Sequence, residues 1–228
     1  MQINEIFASI DGEGIRTGYL VTFIRTQFCS LKCIYCDTKY SLDACDNNGN
    51  KQYIDMSVEE ILQQCKDLGN RRITFTGGEP LIQKDAQELI SVLTINDFEV
   101  NIETNGAVDI KPFKDINFEQ PVDHKNVIFT MDWKSPYSGM RDKMIESNLD
   151  LLNSRDVLKF VVANKEDLAD MKDIITRHKL KCSIFVSPVF GQIEGKDIVK
   201  YMQNNNLQNV RLQLQLHKYL WDPNMRGV

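Results

Sequence analysis

The sequence predicts an α/β fold, an incomplete barrel of parallel strands with helices between them, built as a single domain over residues 1–228. Three observations lead there. Short β-branched and aromatic runs alternate with amphipathic helical patterns, which implies parallel pairing through right-handed crossovers. Seven candidate strands can be read, one fewer than a closed eightfold barrel needs. No linker or internal repeat divides the 228 residues, a length that one domain of this type absorbs.

The elements follow in order. Residues 19–25 (YLVTFIR) read as the first strand. A long irregular stretch follows and ends in the turn-rich Asp46-Asn47-Asn48-Gly49-Asn50. Ser57 and Glu60 form a capping box, Val58, Ile61, Leu62, Cys65 and Leu68 form an apolar stripe, and Gly69 stops the helix. Residues 72–76 (RITFT) are a strand. Residues 85–96 are a helix with Asp85 as N-cap and Ala86, Leu89, Ile90 and Leu93 facing inward. Strands are expected at 100–104, 127–132, 157–163, 183–187 and 210–215, and helices at 141–153, from about 166, and at 197–203. Residues 107–125, with Pro112 and Pro121, break the rhythm.

Composition narrows the function classes. Hydrophobic residues make up 42%, enough to build a core, so disorder of the whole chain is excluded. No apolar run approaches the ~18 residues of a membrane span. The segment Met1-Gln2-Ile3-Asn4-Glu5 has no basic or apolar region of a secretory signal, so a cytoplasmic location is expected. The charge sum of −5 lacks the basic footprint of a nucleic-acid partner. Of six cysteines, Cys29, Cys33 and Cys36 lie within eight residues, whereas Cys45, Cys65 and Cys182 are scattered. Without a signal peptide, that cluster reads as metal or redox chemistry rather than a disulfide framework.

Two motifs carry the chemistry. Cys29-Ser30-Leu31-Lys32-Cys33-Ile34-Tyr35-Cys36 has the spacing C-x3-C-x2-C. Three thiolates from one short loop can hold three corners of a cuboidal iron–sulfur cluster, leaving the fourth iron open. Structural zinc prefers four ligands, commonly in two close pairs, and the nearest fourth cysteine, Cys45, has no partner pair. The spacing favours a cluster. Thr76-Gly77-Gly78-Glu79-Pro80 follows a strand and precedes a helix, and its glycines allow a backbone to approach a ligand closely. Both motifs fall in loops at the carboxyl ends of strands, where barrels of this type place their sites.

With these motifs the chain resembles the radical S-adenosylmethionine (SAM) enzymes. The resemblance implies a 4Fe-4S cluster on Cys29, Cys33 and Cys36, SAM on its open iron, and hydrogen abstraction by a 5′-deoxyadenosyl radical. It implies SAM contacts at Tyr35, Cys36, Asp37, Gly78 and Glu79, and at Ser135, Pro136 and Tyr137 after a later strand. A narrower resemblance rests on Ser9-Ile10-Asp11-Gly12-Glu13-Gly14, Phe23-Ile24-Arg25, Cys36-Asp37-Thr38 and Gln215-Leu216-His217. This set is similar to the 7-carboxy-7-deazaguanine synthases of queuosine and deazapurine biosynthesis. Those usually read Leu-Gln-Gly-Glu-Gly where this chain has Ile10-Asp11-Gly12-Glu13-Gly14.

That resemblance implies a small-molecule substrate, 6-carboxy-5,6,7,8-tetrahydropterin, with Arg25 on its carboxylate. Ile10, Asp11, Gly12, Glu13, Thr76, Glu103 and His217 would contact the pterin, and Thr38 would ligate Mg2+. No side chain is assigned as an acid or base. A flavodoxin or ferredoxin as electron donor, a homodimer, and no nucleic-acid or membrane partner complete the expectation. Read alone, several of these residues have plainer roles: Arg25 in a salt bridge, Thr38 in a turn, Glu103 on a backbone amide, His217 in the interior, and Lys134 exposed beside Ser135. Cys65 and Cys182 read as core or edge residues. A rival reading keeps the chemistry but makes a glycyl radical on a partner protein. A third is a non-catalytic zinc or cluster module. Ser9–Gly14 and Arg25 point instead to a small anionic ligand.

Overall fold

In residues 72–76 the side chains of Ile73 and Phe75 fall on one face of the strand, and those of Thr74 and Thr76 on the other. This alternation recurs in the neighbouring strands and decides the architecture. The computed structural model describes residues 1–115, 126–222 and 225–228. Its strands are β1 (Gln2–Ile10), β2 (Leu20–Thr26), β3 (Ile54–Asp55), β4 (Arg72–Gly77), β5 (Glu99–Thr104), β6 (Val127–Trp133), β7 (Val157–Val162), β8 (Ser183–Pro188) and β9 (Val210–Leu212). They form one sheet in the order β3-β1-β2-β4-β5-β6-β7-β8-β9. From β2 onward every pairing is parallel. The expected incomplete barrel is therefore present as an open sheet, with β3 and β9 at its two edges.

The helices are α1 (Val58–Leu68), α2 (Ala86–Ile95), α3 (Lys111–Lys114), α4 (Ser147–Leu151), α5 (Lys165–Arg177), α6 (Gly195–Asn204) and α7 (His217–Leu220). The capping box of α1 is complete: Glu60 N donates to Ser57 Oγ at 3.2 Å and Ser57 N to Glu60 Oε2 at 2.7 Å. Ile24, Ile73, Phe75, Ile102, Met131 and Phe160 form one contiguous core with Ile61 of α1, Leu89 of α2 and Met171 of α5. Among the described residues no helix is long and apolar enough to cross a membrane.

Five expectations change. β1 and β3 are antiparallel additions to the parallel sheet. β1 is mostly half-buried along its length, so its apolar signal is diluted, and β3 has two residues. Leu68 is exposed at the end of its stripe, and Asp85 caps α2 by position without a side-chain hydrogen bond. The expected helix at 141–153 is broken into a turn at Arg141–Lys143 and α4. Ile145 N donates to Gly106 O and Lys134 N to Met144 Sδ, which holds the chain extended between them. β9 ends at Leu212, short of the expected 215; Gln213 N still donates to Val186 O, while its side chain crosses to the loop after β1, Oε1 accepting from Gly14 N and Nε2 donating to Thr17 Oγ1. Of the irregular stretch 107–125, residues 116–125 lie outside the described residues.

The face opposite the helices is polar: Thr74, Thr76, Asn101, Glu103, Thr130, Asp132 and Lys159 stand on it. At its amino end Arg16 closes the floor. Its Nη2 donates to Ile73 O at 2.8 Å and Thr74 Oγ1 at 2.7 Å, its Nη1 to Glu99 O at 3.1 Å, and its Nε to Asp11 Oδ2 at 2.9 Å. Both charges are buried. Burial raises the Asp11 carboxyl above its ordinary value although Arg16 opposes the shift. The side chain of Asp11 is thus committed to Arg16 and Thr74 rather than to a ligand. Arg16→Met leaves a buried carboxylate without its cation and is expected to cost about 3–5 kcal/mol of stability. Adding Asp11→Asn should recover much of that loss. Urea denaturation of the three proteins measures it, and an unchanged midpoint in Arg16→Met would contradict the account.

Candidate active site

At the carboxyl ends of the parallel strands lies a cavity of about 260 Å3. The first constraint on it is backbone against backbone. After β2 the chain turns back through Phe28, which adopts φ 70°. The end of β4 presses on that turn: Gly78 N donates to Thr26 O at 3.0 Å and Glu79 N to Phe28 O at 2.8 Å. A Cβ on Gly77 would stand 2.3 Å from Thr26 N, and one on Gly78 2.0 Å from Phe28 O. Gly77 and Gly78 do line the cavity, but the cysteine loop's own backbone already requires both glycines.

Glu79 lies beneath this contact, fully buried and off the cavity wall. Its Oε1 accepts from Leu81 N and Thr104 Oγ1, and its Oε2 accepts from Asn105 N at 2.7 Å. Burial pushes its carboxyl up to about 7. The expected contact between Glu79 and a cofactor is replaced by a staple that joins the ends of β4 and β5. Asn105, fixed by the staple, donates through Nδ2 to Cys29 Sγ at 3.5 Å.

Cys29, Cys33 and Cys36 all line the cavity and are half-buried. Burial raises each thiol above its ordinary value, Cys33 to about 11. Among the described residues no group of three or more His, Cys, Asp or Glu converges as around a single ion. A cuboidal cluster needs thiolates at separate corners, with N–H donors on the sulfurs. Leu31 N and Asn105 Nδ2 already donate to Cys29 Sγ. The donor set fits such a cluster. Cys45 is exposed, Cys182 is half-buried and Cys65 sits in the core, as their positions implied.

Tyr35 lines the cavity, its ring parallel to that of Tyr137 with centroids 6.4 Å apart. Ser135, Pro136 and Tyr137 stand behind the wall rather than on it: Ser135 is fully buried and Tyr137 N donates to Asp167 Oδ1. Asp132 and Lys134 take the place expected for them. β6 runs on to Trp133, which turns outward into the core, so its neighbours on either side turn inward. Lys134 is consequently not an exposed lysine. Its Nζ lies 3.0 Å from Asp132 Oδ2 and 5.7 Å from the centre of the Tyr35 ring.

The remaining expected residues, Ile10, Asp11, Gly12, Glu13, Arg25, Asp37, Thr38, Thr76, Glu103 and His217, also line the cavity. Arg25 Nε donates to Glu5 Oε1 at 2.7 Å, and Tyr40 Oη donates to the same oxygen. Thr76 Oγ1 donates to Glu103 Oε2 at 2.9 Å, and burial raises the Glu103 carboxyl to about 7. Leu216 N donates to Gly12 O, which brings His217 over the cavity, and burial lowers its ring below the ordinary value. Thr38 Oγ1 donates to Asp37 Oδ1 at 2.9 Å. Burial opposes ionisation of Asp37, yet Lys218 at 3.2 Å and Thr38 draw it down to about 2. Sequence reasoning put the Asn105-Gly106 loop and the loop after Asp132 at the site end but gave Asn105 and Asp132 no role, and it missed Lys159, whose Nζ donates to Glu13 Oε2 at 2.6 Å. The available signal was a lysine inside the otherwise apolar strand VLKFVV.

Residues 23–124 match the radical SAM superfamily. The chain is 44% identical over 230 residues to a 7-carboxy-7-deazaguanine synthase from Clostridium acetobutylicum, covering 100% of this chain and 99% of that protein. A protein of the same name from Methanospirillum hungatei is 39% identical, with 98% and 86% covered. The crystal structure of QueE from Escherichia coli has the same fold, with a TM-score of 0.71 at 22% identity over 94% of this chain and 93% of that one.

Replacing Cys29, Cys33 or Cys36 by Ala should abolish reductive cleavage of SAM in anaerobically reconstituted protein, and replacing Cys45, Cys65 or Cys182 should not. Product analysis by mass spectrometry reads both. Retained cleavage in Cys33→Ala would remove the cluster from this loop.

Proposed function

The chain belongs to the 7-carboxy-7-deazaguanine synthases of the radical SAM superfamily, and from that premise we propose that its cavity converts 6-carboxy-5,6,7,8-tetrahydropterin to 7-carboxy-7-deazaguanine with loss of ammonia. The observation that supports this most is the union of two walls in one cavity: the cysteine loop on one side, and Arg25, Thr76, Glu103 and Glu13 on the other. A guanidinium and buried carboxylates on one wall suit a small anionic heterocycle better than a polypeptide segment, which disfavours the glycyl-radical alternative.

When bound, the 4Fe-4S cluster and SAM supply an electron and a carbon-centred radical that removes a hydrogen atom from the substrate. The chain's own residues bind and orient. Cys29, Cys33 and Cys36 hold the cluster, and Tyr35, Cys36, Asp37 and Gly78 border the SAM position. Arg25 spends its Nε edge on Glu5, which leaves four of its five donors for a substrate carboxylate. Glu13 and Glu103 accept from the N–H groups of the pterin. Thr76 orients Glu103, and His217, neutral in its buried setting, closes the top. Thr38 would hold Mg2+ with substrate oxygens and waters completing the shell. The protein acts in the cytoplasm as a homodimer of single-domain subunits. It takes electrons from a flavodoxin or ferredoxin, and its product feeds queuosine or other deazapurine biosynthesis without the chain itself touching nucleic acid or membrane.

An anaerobic assay with SAM, a reductant and the carboxylated tetrahydropterin tests the activity; absence of the deazapurine overturns it. Arg25→Ala should weaken pterin binding by about 2–5 kcal/mol, the range for truncating one partner of a buried charge pair, and leave SAM binding nearly unchanged. Calorimetry that shows both affinities falling equally would make Arg25 structural.

For magnesium, turnover of metal-stripped, cluster-loaded protein should rise with added Mg2+. Thr38→Ala and Thr38→Val should lose most of that stimulation, and Thr38→Ser should keep part. A wild-type curve flat from chelated to millimolar Mg2+ would take the ion and Thr38 out of the mechanism.

A further inference from the structure

Lys159 stands in the middle of β7, between Leu158 and Phe160, which face the core. Its side chain is 8% exposed. Strand register sets it beside Asp132 of β6, on the inward face. Its ammonium lies 2.6 Å from Glu13 Oε2 and 3.5 Å from Asp132 Oδ2. Glu13 comes from the far end of the chain, just after β1, so this one cation ties the loop after β1 to β7 in the sheet. Each carboxylate spends one oxygen on the lysine. The other oxygens, Glu13 Oε1 and Asp132 Oδ1, are sealed from water and accept no hydrogen bond among the described residues. Buried acceptors without donors are costly to keep. Two of them on one cavity wall, their partner oxygens held by Lys159 and, for Asp132, also by Lys134 at 3.0 Å, amount to a prepared receptor for N–H groups.

We infer that Lys159 is a positioning residue for the substrate: it pins one oxygen of Glu13 and one of Asp132, so that Glu13 Oε1 and Asp132 Oδ1 accept from the adjacent N–H donors of the aminopyrimidine ring. The inference rests on the proposed function and adds to it two residues, Lys159 and Asp132, together with the part of the substrate they meet. An aminopyrimidinone presents its amino group and ring N–H groups along one edge, the complement of a wall of acceptors. The lysine also supplies a positive counter-charge between the two neighbouring carboxylates. It touches no reacting atom in this account.

The test is a double-mutant cycle on the cluster-loaded enzyme, read as the KM and kcat for 6-carboxy-5,6,7,8-tetrahydropterin, with iron content and SAM affinity as controls of integrity. Glu13→Gln and Lys159→Met are each expected to raise KM by about 10- to 100-fold, the size of losing a hydrogen bond to a charged group. Both should leave SAM affinity within a few-fold of wild type. Because the lysine acts through Glu13, the double variant should be no worse than the poorer single one. Asp132→Asn should raise KM as well. A purely structural lysine would lower iron content and SAM affinity in step with KM, and a lysine that touches the substrate independently would give losses that multiply; either result overturns the inference. So does a wild-type KM in Lys159→Met. If that single variant does not fold, Glu13→Gln/Asp132→Asn/Lys159→Met, which removes all three charges together, is compared with Glu13→Gln/Asp132→Asn: equal KM values support the inference and a further large loss contradicts it. Wild-type turnover is measured first. A wild-type enzyme that neither binds nor converts the pterin ends the functional reading, and this inference with it. A working wild type with an unaffected Lys159→Met ends only the inference.

Discussion

Side chains alternate across a strand, and the rest of this molecule depends on that fact. Each parallel strand must bury one face against helices, and in β4–β7 that face is filled by residues such as Phe75, Ile102, Met131 and Phe160. The other face of the same strands cannot be apolar as well without becoming a second core. Here it carries threonine, asparagine, glutamate, aspartate and lysine, which must find partners or a ligand. At its amino end the partners are internal: Arg16 satisfies two backbone carbonyls, Thr74 and Asp11 at once. Towards the carboxyl ends the satisfaction is incomplete, and the orphaned oxygens of Glu13 and Asp132 lie there. One strand pattern therefore yields a sealed floor and an unfinished wall.

The second level of order is the joint between loops. The cysteine loop does not hang freely from β2. Its first turn lies against Gly77 and Gly78, and the Glu79 staple then locks the end of β5 to the same point through Thr104 and Asn105. Thiols that must hold three corners of a cluster need positions set by something other than the cluster, or their ordering would oppose metal binding. Here Asn105 reaches from β5 to the sulfur of Cys29, so a residue from the middle of the sheet orients the first thiol. Glu79 is thus a residue of the site without being on its surface.

What was legible in the sequence was local. The capping box of α1, the β-branched runs of the parallel strands, the C-x3-C-x2-C spacing and the turn after β4 each lie within about a dozen residues, and all appear where expected. β1 was not legible, because its half-buried faces give no clean period and its pairing partner supplies the order. Residues 141–153 look helical by composition but are held apart by contacts to Gly106 and Lys134. The roles of Glu79, of Ser135–Tyr137 and of Asp11 depend on which side chains at a strand end meet the cavity, and that is set by partners far away in sequence, such as Asn105 for Glu79, Asp167 for Tyr137 and Thr74 for Asp11. Lys159 and Glu13 are separated by 146 positions, and no local pattern links them. The lysine itself stands out in VLKFVV, but its partner and purpose do not.

The charged wall is not a stabilising device. Replacing a buried ion pair by packed apolar residues is often neutral or stabilising by about 1–4 kcal/mol, because desolvation offsets much of the attraction. A leucine at position 159 alone would strand the Glu13 and Asp132 carboxylates, but packed apolar residues at all three positions would fold at least as well. Folding alone therefore does not explain why a lysine with two carboxylates lines the cavity. In the proposed reading binding does: a ligand with N–H donors and a carboxylate needs acceptors and a guanidinium, and Glu13, Asp132 and Arg25 line the same cavity. The cost of holding unpaired acceptors before the ligand arrives is returned as discrimination, since a ligand lacking those donors leaves the wall as unsatisfied as it was.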